Sequence, residues 1–125
     1  MASNQLAQAL RLIEAFRTLD RLMASEQMTV FLQIALATNG ITSHELRQLT
    51  GLSQSAITRS VAYFGKRHYR RKPGLDMLEV HPDPKHSTRI IYGLNHKGRY
   101  FAATLEAFMD LLSPTVDGGV REPLS

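Results

Sequence analysis

Between positions 54 and 59 stand four side chains of the kinds that meet nucleic-acid bases: Gln54, Ser55, Thr58 and Arg59. A side-chain amide pairs with adenine N6 and N7, and a guanidinium pairs with guanine or with a phosphate. The two hydroxyls are short, so a helix that carries them can approach a duplex closely. These four share one helical face if Ala56, Ile57, Val61 and Phe64 turn inward, with Ala62 and Tyr63 at the edge of the outward set. Lys66, Arg67, Arg70, Arg71 and Lys72 follow directly and suit phosphate contacts, which supply register and affinity but read no sequence. A second basic cluster, Lys85, His86, Ser87 and Arg89, lies further on. From a loop it would run along the backbone or reach into a minor groove.

Other chemistries have little to stand on. The chain has no cysteine, which removes disulfides, thiol nucleophiles and cysteine-based zinc sites. His44, His68, His81, His86 and His96 lack metal-ligand spacing. No Ser or Thr has a His and an acid at readable spacing. Gly118-Gly119 lies in the tail and follows no strand, so it reads as a linker signal rather than a phosphate loop. No catalysis, cofactor or metal is expected.

Charge agrees with a polyanionic partner. Of 15 Lys and Arg and 11 Asp and Glu in 125 residues, ten basic and three acidic residues lie between Arg59 and Arg99. That stretch carries +7, and the remaining five basic and eight acidic residues give −3 elsewhere. Such concentration marks a surface for nucleic acid, or a solvated basic face with no partner. The composition, 43% hydrophobic and 21% charged, is that of a globular chain. No apolar run approaches the roughly 18 residues of a membrane span, and the opening MASNQLAQ has no secretory pattern. A cytoplasmic, nucleoid-associated protein is expected.

The elements that must position these residues follow from periodicity and caps. Ser3 to about Met23 spaces Leu6, Leu10 and Ile13 as one stripe of an amphipathic helix. Ser25 is a candidate N-cap for a second helix with Met28, Val30, Phe31, Ile34, Ala35 and Leu36, apolar around most of its circumference and stopped by Asn39-Gly40. Thr42 or Ser43 caps a short helix with Leu46 and Leu49 inward and Glu45 near its positive end, and Gly51 ends it. A further helix starts at Ser53 or Gln54 and runs to about His68. Two short helices about a tight glycine turn make a helix-turn-helix. Pro73-Gly74 then breaks the pattern. Asp76–His81 and Thr88–Leu94 read as two strands around a loop, Pro82–Ser87. Asn95 caps a last helix with Tyr100, Phe101, Leu105, Phe108, Met109 and Leu112 on its apolar face. The predicted fold class is mainly α with a small β-hairpin wing: one winged helix-turn-helix domain over 1–112, with a disordered tail at 113–125.

Ile41-Thr-Ser-His-Glu-Leu and Thr50-Gly-Leu-Ser-Gln-Ser-Ala-Ile-Thr-Arg59 carry a further likeness. Together with Asp83-Pro84 and Gly93-Leu94-Asn95-His-Lys-Gly98, they resemble the MarR family of winged-helix transcription regulators. The resemblance spans roughly residues 25 to 105. It implies duplex contacts from Ser53, Gln54, Ser55, Thr58 and Arg59 and from a wing around Lys85 to Arg89. It also implies a homodimer with interleaved terminal helices, and usually repression. The chain departs from the family pattern at Arg47, where alanine is usual, and at the wing tip His86-Ser87-Thr88. Its C-terminal helical region is short, leaving little material to wall a ligand pocket, so small-molecule sensing is not carried over.

The terminal helices, 1–23 and 95–112, could complete a monomer's core. They carry more apolar surface than a winged domain (42–94 here) needs, which favours dimerisation through Leu6, Leu10, Ile13, Phe101, Leu105, Phe108 and Leu112. The function expected is a sequence-specific double-stranded DNA-binding regulator, a homodimeric repressor at a pseudo-palindromic operator. The alternatives are a DNA-binding protein of replication or partition and a winged-helix protein-interaction module.

Overall fold

The computed structural model describes residues 3–66 and 72–112. Among them the order is α1 (Ser3–Leu19), α2 (Ser25–Leu36), α3 (Ser43–Thr50), α4 (Gln54–Phe64), β1 (Leu78–Asp83), β2 (His86–Leu94) and α5 (His96–Leu112). Two compact units result: residues up to Leu22 together with those from Ala102, and Met23–Phe101. No helix among the described residues is long and apolar enough to cross a membrane. The tail expected at 113–125 lies outside the described residues.

In the Met23–Phe101 unit the core is built around Phe31 of α2, which is fully buried. Its ring lies 5.4 Å from that of Phe64 and 5.6 Å, edge-on, from that of Phe101. Val30, Ile34, Ile41, Leu46, Ile57 and Met77 complete the interior. Burying each large side chain contributes about 1.5–3 kcal/mol, and aromatic contacts add about 0.5–1.5 kcal/mol per pair.

Local sequence explains where the helices begin and end. The Thr42 hydroxyl accepts the Glu45 N–H at 3.1 Å, and Glu45 Oε1 accepts the Thr42 N–H at 2.9 Å, closing a capping box at the start of α3. Gly51, at φ 74°, ends α3 in the left-handed conformation. The Ser53 hydroxyl accepts the Ala56 N–H and starts α4. Ala24, not Ser25, is the N-cap of α2, and its own N–H donates to the Gln27 side chain. With no hydroxyl at the cap, the Gln27 N–H donates to the Ala24 carbonyl at 3.1 Å.

Three expectations about apolar faces change. Leu36 is exposed, so α2 buries a stripe of Val30, Phe31 and Ile34 rather than most of its circumference. Leu49 is exposed as well, and Leu46 is the buried residue of α3. Tyr100 is exposed while Phe101 beside it is buried.

The hairpin is longer and tighter than its sequence suggests. β1 pairs antiparallel with β2, Leu78 opposite Leu94 and Pro82 opposite Ile90, with a register shift after Pro82. Pro82 therefore lies within a strand, and only Pro84-Lys85 turns between the strands. The proline is tolerated because β1 is an edge strand: the far edge of β2 is taken by Ile41, which bridges to Tyr92. β1 begins at Leu78 rather than Asp76, since Asp76 has φ 55°.

The segment 74–77 runs back along the end of α4. The N–H groups of Gly74, Leu75, Asp76 and Met77 donate to the carbonyls of Lys66, Tyr63, Gly65 and Phe64, which satisfies carbonyls a helix end leaves open. A Cβ on Gly74 would run into the Gly65 carbonyl, so the position needs glycine. Asn95 then fastens the segment to α5: its side chain donates to the Asp76 carbonyl at 2.9 Å and caps Gly98 N–H at 2.9 Å.

Candidate nucleic-acid interface

α4 is held from beneath by Ala56, Ile57, Ser60 and Phe64, all buried. That pattern turns Gln54, Ser55, Thr58 and Arg59 to solvent, and each is exposed. Ala62 and Tyr63 are half-buried at the edge, and Val61, expected inward, is half-buried too. Ser60 was not among the inward residues expected, since a serine gives no apolar signal. Its hydroxyl has no hydrogen-bond partner among the described residues.

The outward side chains are linked to one another and to the neighbouring helix. Gln54 Nε2 donates to Thr58 Oγ1 at 3.2 Å, and the Ser53 and Ser55 hydroxyls lie 3.2 Å apart. Ser53 uses its oxygen lone pairs to cap α4 but keeps an O–H that can donate. Arg59 Nη2 lies 3.7 Å from Glu26 Oε1 of α2. Nothing in the spacing marks Glu26; only the packing of α2 against α4 brings it to this face.

On the wing, Lys85, His86, Thr88 and Arg89 are exposed. The Lys85 N–H donates to the Asp83 carboxylate at 2.9 Å, which shapes the turn. Arg89 and Thr88 line a cleft of about 440 Å³ together with Ser43, His44 and Ile90, so the basic strand lies beside the start of α3. Lys66 is exposed just past the end of α4. Arg67, Arg70 and Arg71 lie outside the described residues, as does the side chain of Ser87.

The residues expected at a dimer interface divide. Leu6, Leu10 and Ile13 are 68%, 59% and 45% exposed along one stripe of α1. Phe101 and Leu105 are instead buried within the chain, Phe101 against Phe31. Phe108 is half-buried, with the Arg11 guanidinium 5.4 Å over its ring, and Gln8 Nε2 donates to the Met109 carbonyl at 3.0 Å. The side chain of Leu112 lies outside the described residues.

Among solved structures the chain is similar to wild-type MarR from E. coli in its apo form. The TM-score is 0.61 at 18% identity, over 86% of this chain and 71% of that one. It is similar to S. aureus MepR in a DNA complex, with a TM-score of 0.58 at 14% identity over 89% and 80%. It also matches the PcaV transcriptional regulator from Streptomyces coelicolor in complex with its natural ligand, at 0.53 and 23% identity over 83% and 71%. No family model and no curated protein sequence matches. The chain thus has the winged helix-turn-helix fold seen in MarR regulators.

Proposed function

We propose that the chain is a sequence-specific double-stranded DNA-binding transcription regulator. One observation carries this reading: α4, seated on four buried residues, presents an amide, two hydroxyls and a guanidinium together on its solvent face. A B-DNA major groove about 12 Å wide admits one α-helix, and those are the groups that read its base edges. Lys66, Lys85, His86 and Arg89 supply phosphate or minor-groove contacts around it, with Ser53 at the helix start. By their place in the sequence, Arg67, Arg70 and Arg71 are assigned to further phosphate contacts and Ser87 to the wing contact. The fold is one that S. aureus MepR presents to DNA.

The exposed stripe Leu6, Leu10 and Ile13 supports a homodimer. A dimer would set two recognition helices about 34 Å apart, one turn of duplex, and so require a pseudo-palindromic operator. Occupancy of such a site blocks other proteins from it, so repression is the simplest outcome. No cofactor is invoked, a cytoplasmic, nucleoid-associated location follows from the duplex partner, and an effector ligand is not part of the proposal.

Selection on a randomised duplex pool tests the reading. The expected product is a two-fold symmetric motif with about ten base pairs between half-site centres. Cooperative binding to tandem repeats would point instead to replication or partition. A pool that stays random would overturn sequence reading, and absence of duplex binding at low salt would leave a protein-interaction module.

A further inference from the structure

The face that meets a polyanion in this reading holds a carboxylate. Glu26 lies in the first turn of α2, where the positive end of the helix favours a negative charge. α2 is itself fixed in the core through Val30, Phe31 and Ile34. Arg59 is the only basic residue of α4, which has no acid. The charge that α4 offers DNA is therefore already paired, at 3.7 Å, with both side chains partly exposed.

An ion pair of that exposure is weak enough for a ligand to compete with it. The two ligands a duplex offers differ in charge. To bind a phosphate, Arg59 exchanges one anion for another and brings the phosphate up to Glu26, so little is gained. Guanine O6 and N7 are neutral acceptors. A guanidinium has five N–H donors on separate edges, enough to hold the base and the carboxylate together. A repulsive element that penalises the unwanted contact and spares the wanted one raises specificity.

We propose that Glu26 is a specificity-determining positioning residue, which steers Arg59 away from phosphate and toward a base edge and so weakens non-specific duplex binding. The inference rests on the reading of α4 as the duplex-reading helix.

The test compares wild type with Glu26→Gln, which keeps the shape and removes the charge. Affinity for a random-sequence duplex is measured over a range of salt, and the selection on a randomised pool is repeated with the variant. The random duplex should bind several-fold more tightly, and its salt slope should steepen by about 0.9, one freed phosphate contact. The selected motif should relax at one position of each half-site. Glu26→Asp should keep wild-type behaviour, and Arg59→Ala should abolish the slope change caused by Glu26→Gln. An unchanged random-duplex affinity and slope, or an equal loss on random and selected duplexes, would overturn the role of Glu26 while leaving the regulator reading intact. Wild-type protein that binds no duplex would overturn both.

Discussion

The recognition helix and the wing, assigned here to the same duplex, are built in opposite ways. α4 buries Ala56, Ile57, Ser60 and Phe64, is capped by Ser53, and has its end carbonyls taken by the 74–77 segment. Its outward side chains bond to each other or to α2. From Val80 to Ile90, the wing has no buried side chain among those described, and its tip is shaped by one bond from Lys85 to Asp83. A base contact fails if a donor is misplaced by a fraction of an ångström, whereas a phosphate contact tolerates an adjustable partner. On the proposed reading, sequence reading falls to the packed element and affinity to the exposed one.

The largest expected effect tests the rigidity. Phe64→Ala removes a fully buried ring that packs on Phe31 and should cost about 3–5 kcal/mol of stability. Val80→Ala, at a side chain 54% exposed on the wing, should change stability by no more than about 0.5 kcal/mol. Chemical denaturation of both variants measures the difference. Comparable losses would mean that the wing is part of the same cooperative core.

Binding should divide along the same line. Arg59→Ala should cost about 1–3 kcal/mol on a selected duplex and relax sequence choice at one position. Lys85→Ala should weaken selected and random duplexes alike and reduce the salt slope by about one. Titrations against both duplexes at several salt concentrations separate the two behaviours. A uniform loss from Arg59→Ala would make it a phosphate contact and remove the distinction.

What the sequence discloses follows the same division. The helix-turn-helix is legible because local signals specify it: Thr42 with Glu45, Gly51 and Ser53 act over a few residues, and the structure places each in that capping role. The outward set Gln54, Ser55, Thr58 and Arg59 follows once the inward residues are known. The wing is less legible. Pro82 argues against a strand, and only the bridge from Ile41 to Tyr92, which leaves β1 at the edge, explains why a strand forms there. Glu26 and the burial of Phe101 depend on contacts between elements distant in sequence, which no local pattern records. Apolar periodicity likewise cannot tell a residue that meets its own core, as Phe101 does, from one left exposed, as Leu6 is.

A smaller effect belongs to the cap. Ser53→Ala removes the acceptor for the Ala56 N–H and should cost about 1 kcal/mol by thermal denaturation. If Ser53 acts on DNA chiefly by fixing the start of α4, Ser53→Asp should restore stability, because aspartate caps equally well. Its negative charge would still weaken duplex binding, so stability and binding would move apart in that variant.

The last effect, a gain in stability, concerns Ser60. Its hydroxyl is buried on the inner face of α4 without a hydrogen-bond partner among the described residues, and a buried polar group left unpaired is a cost that the rest of the helix must offset. Ser60→Ala deletes that group and places a better helix former in the same space, so stability should rise by up to about 1 kcal/mol. None of the outward side chains changes, so duplex affinity should stay at the wild-type value if α4 works as a rigid reader. A variant that melts at higher temperature yet binds its selected duplex less tightly would show that α4 must shift on its seat when it enters the groove. The unsatisfied hydroxyl would then be retained for the looseness it gives the helix, and the contrast with the wing would be one of degree.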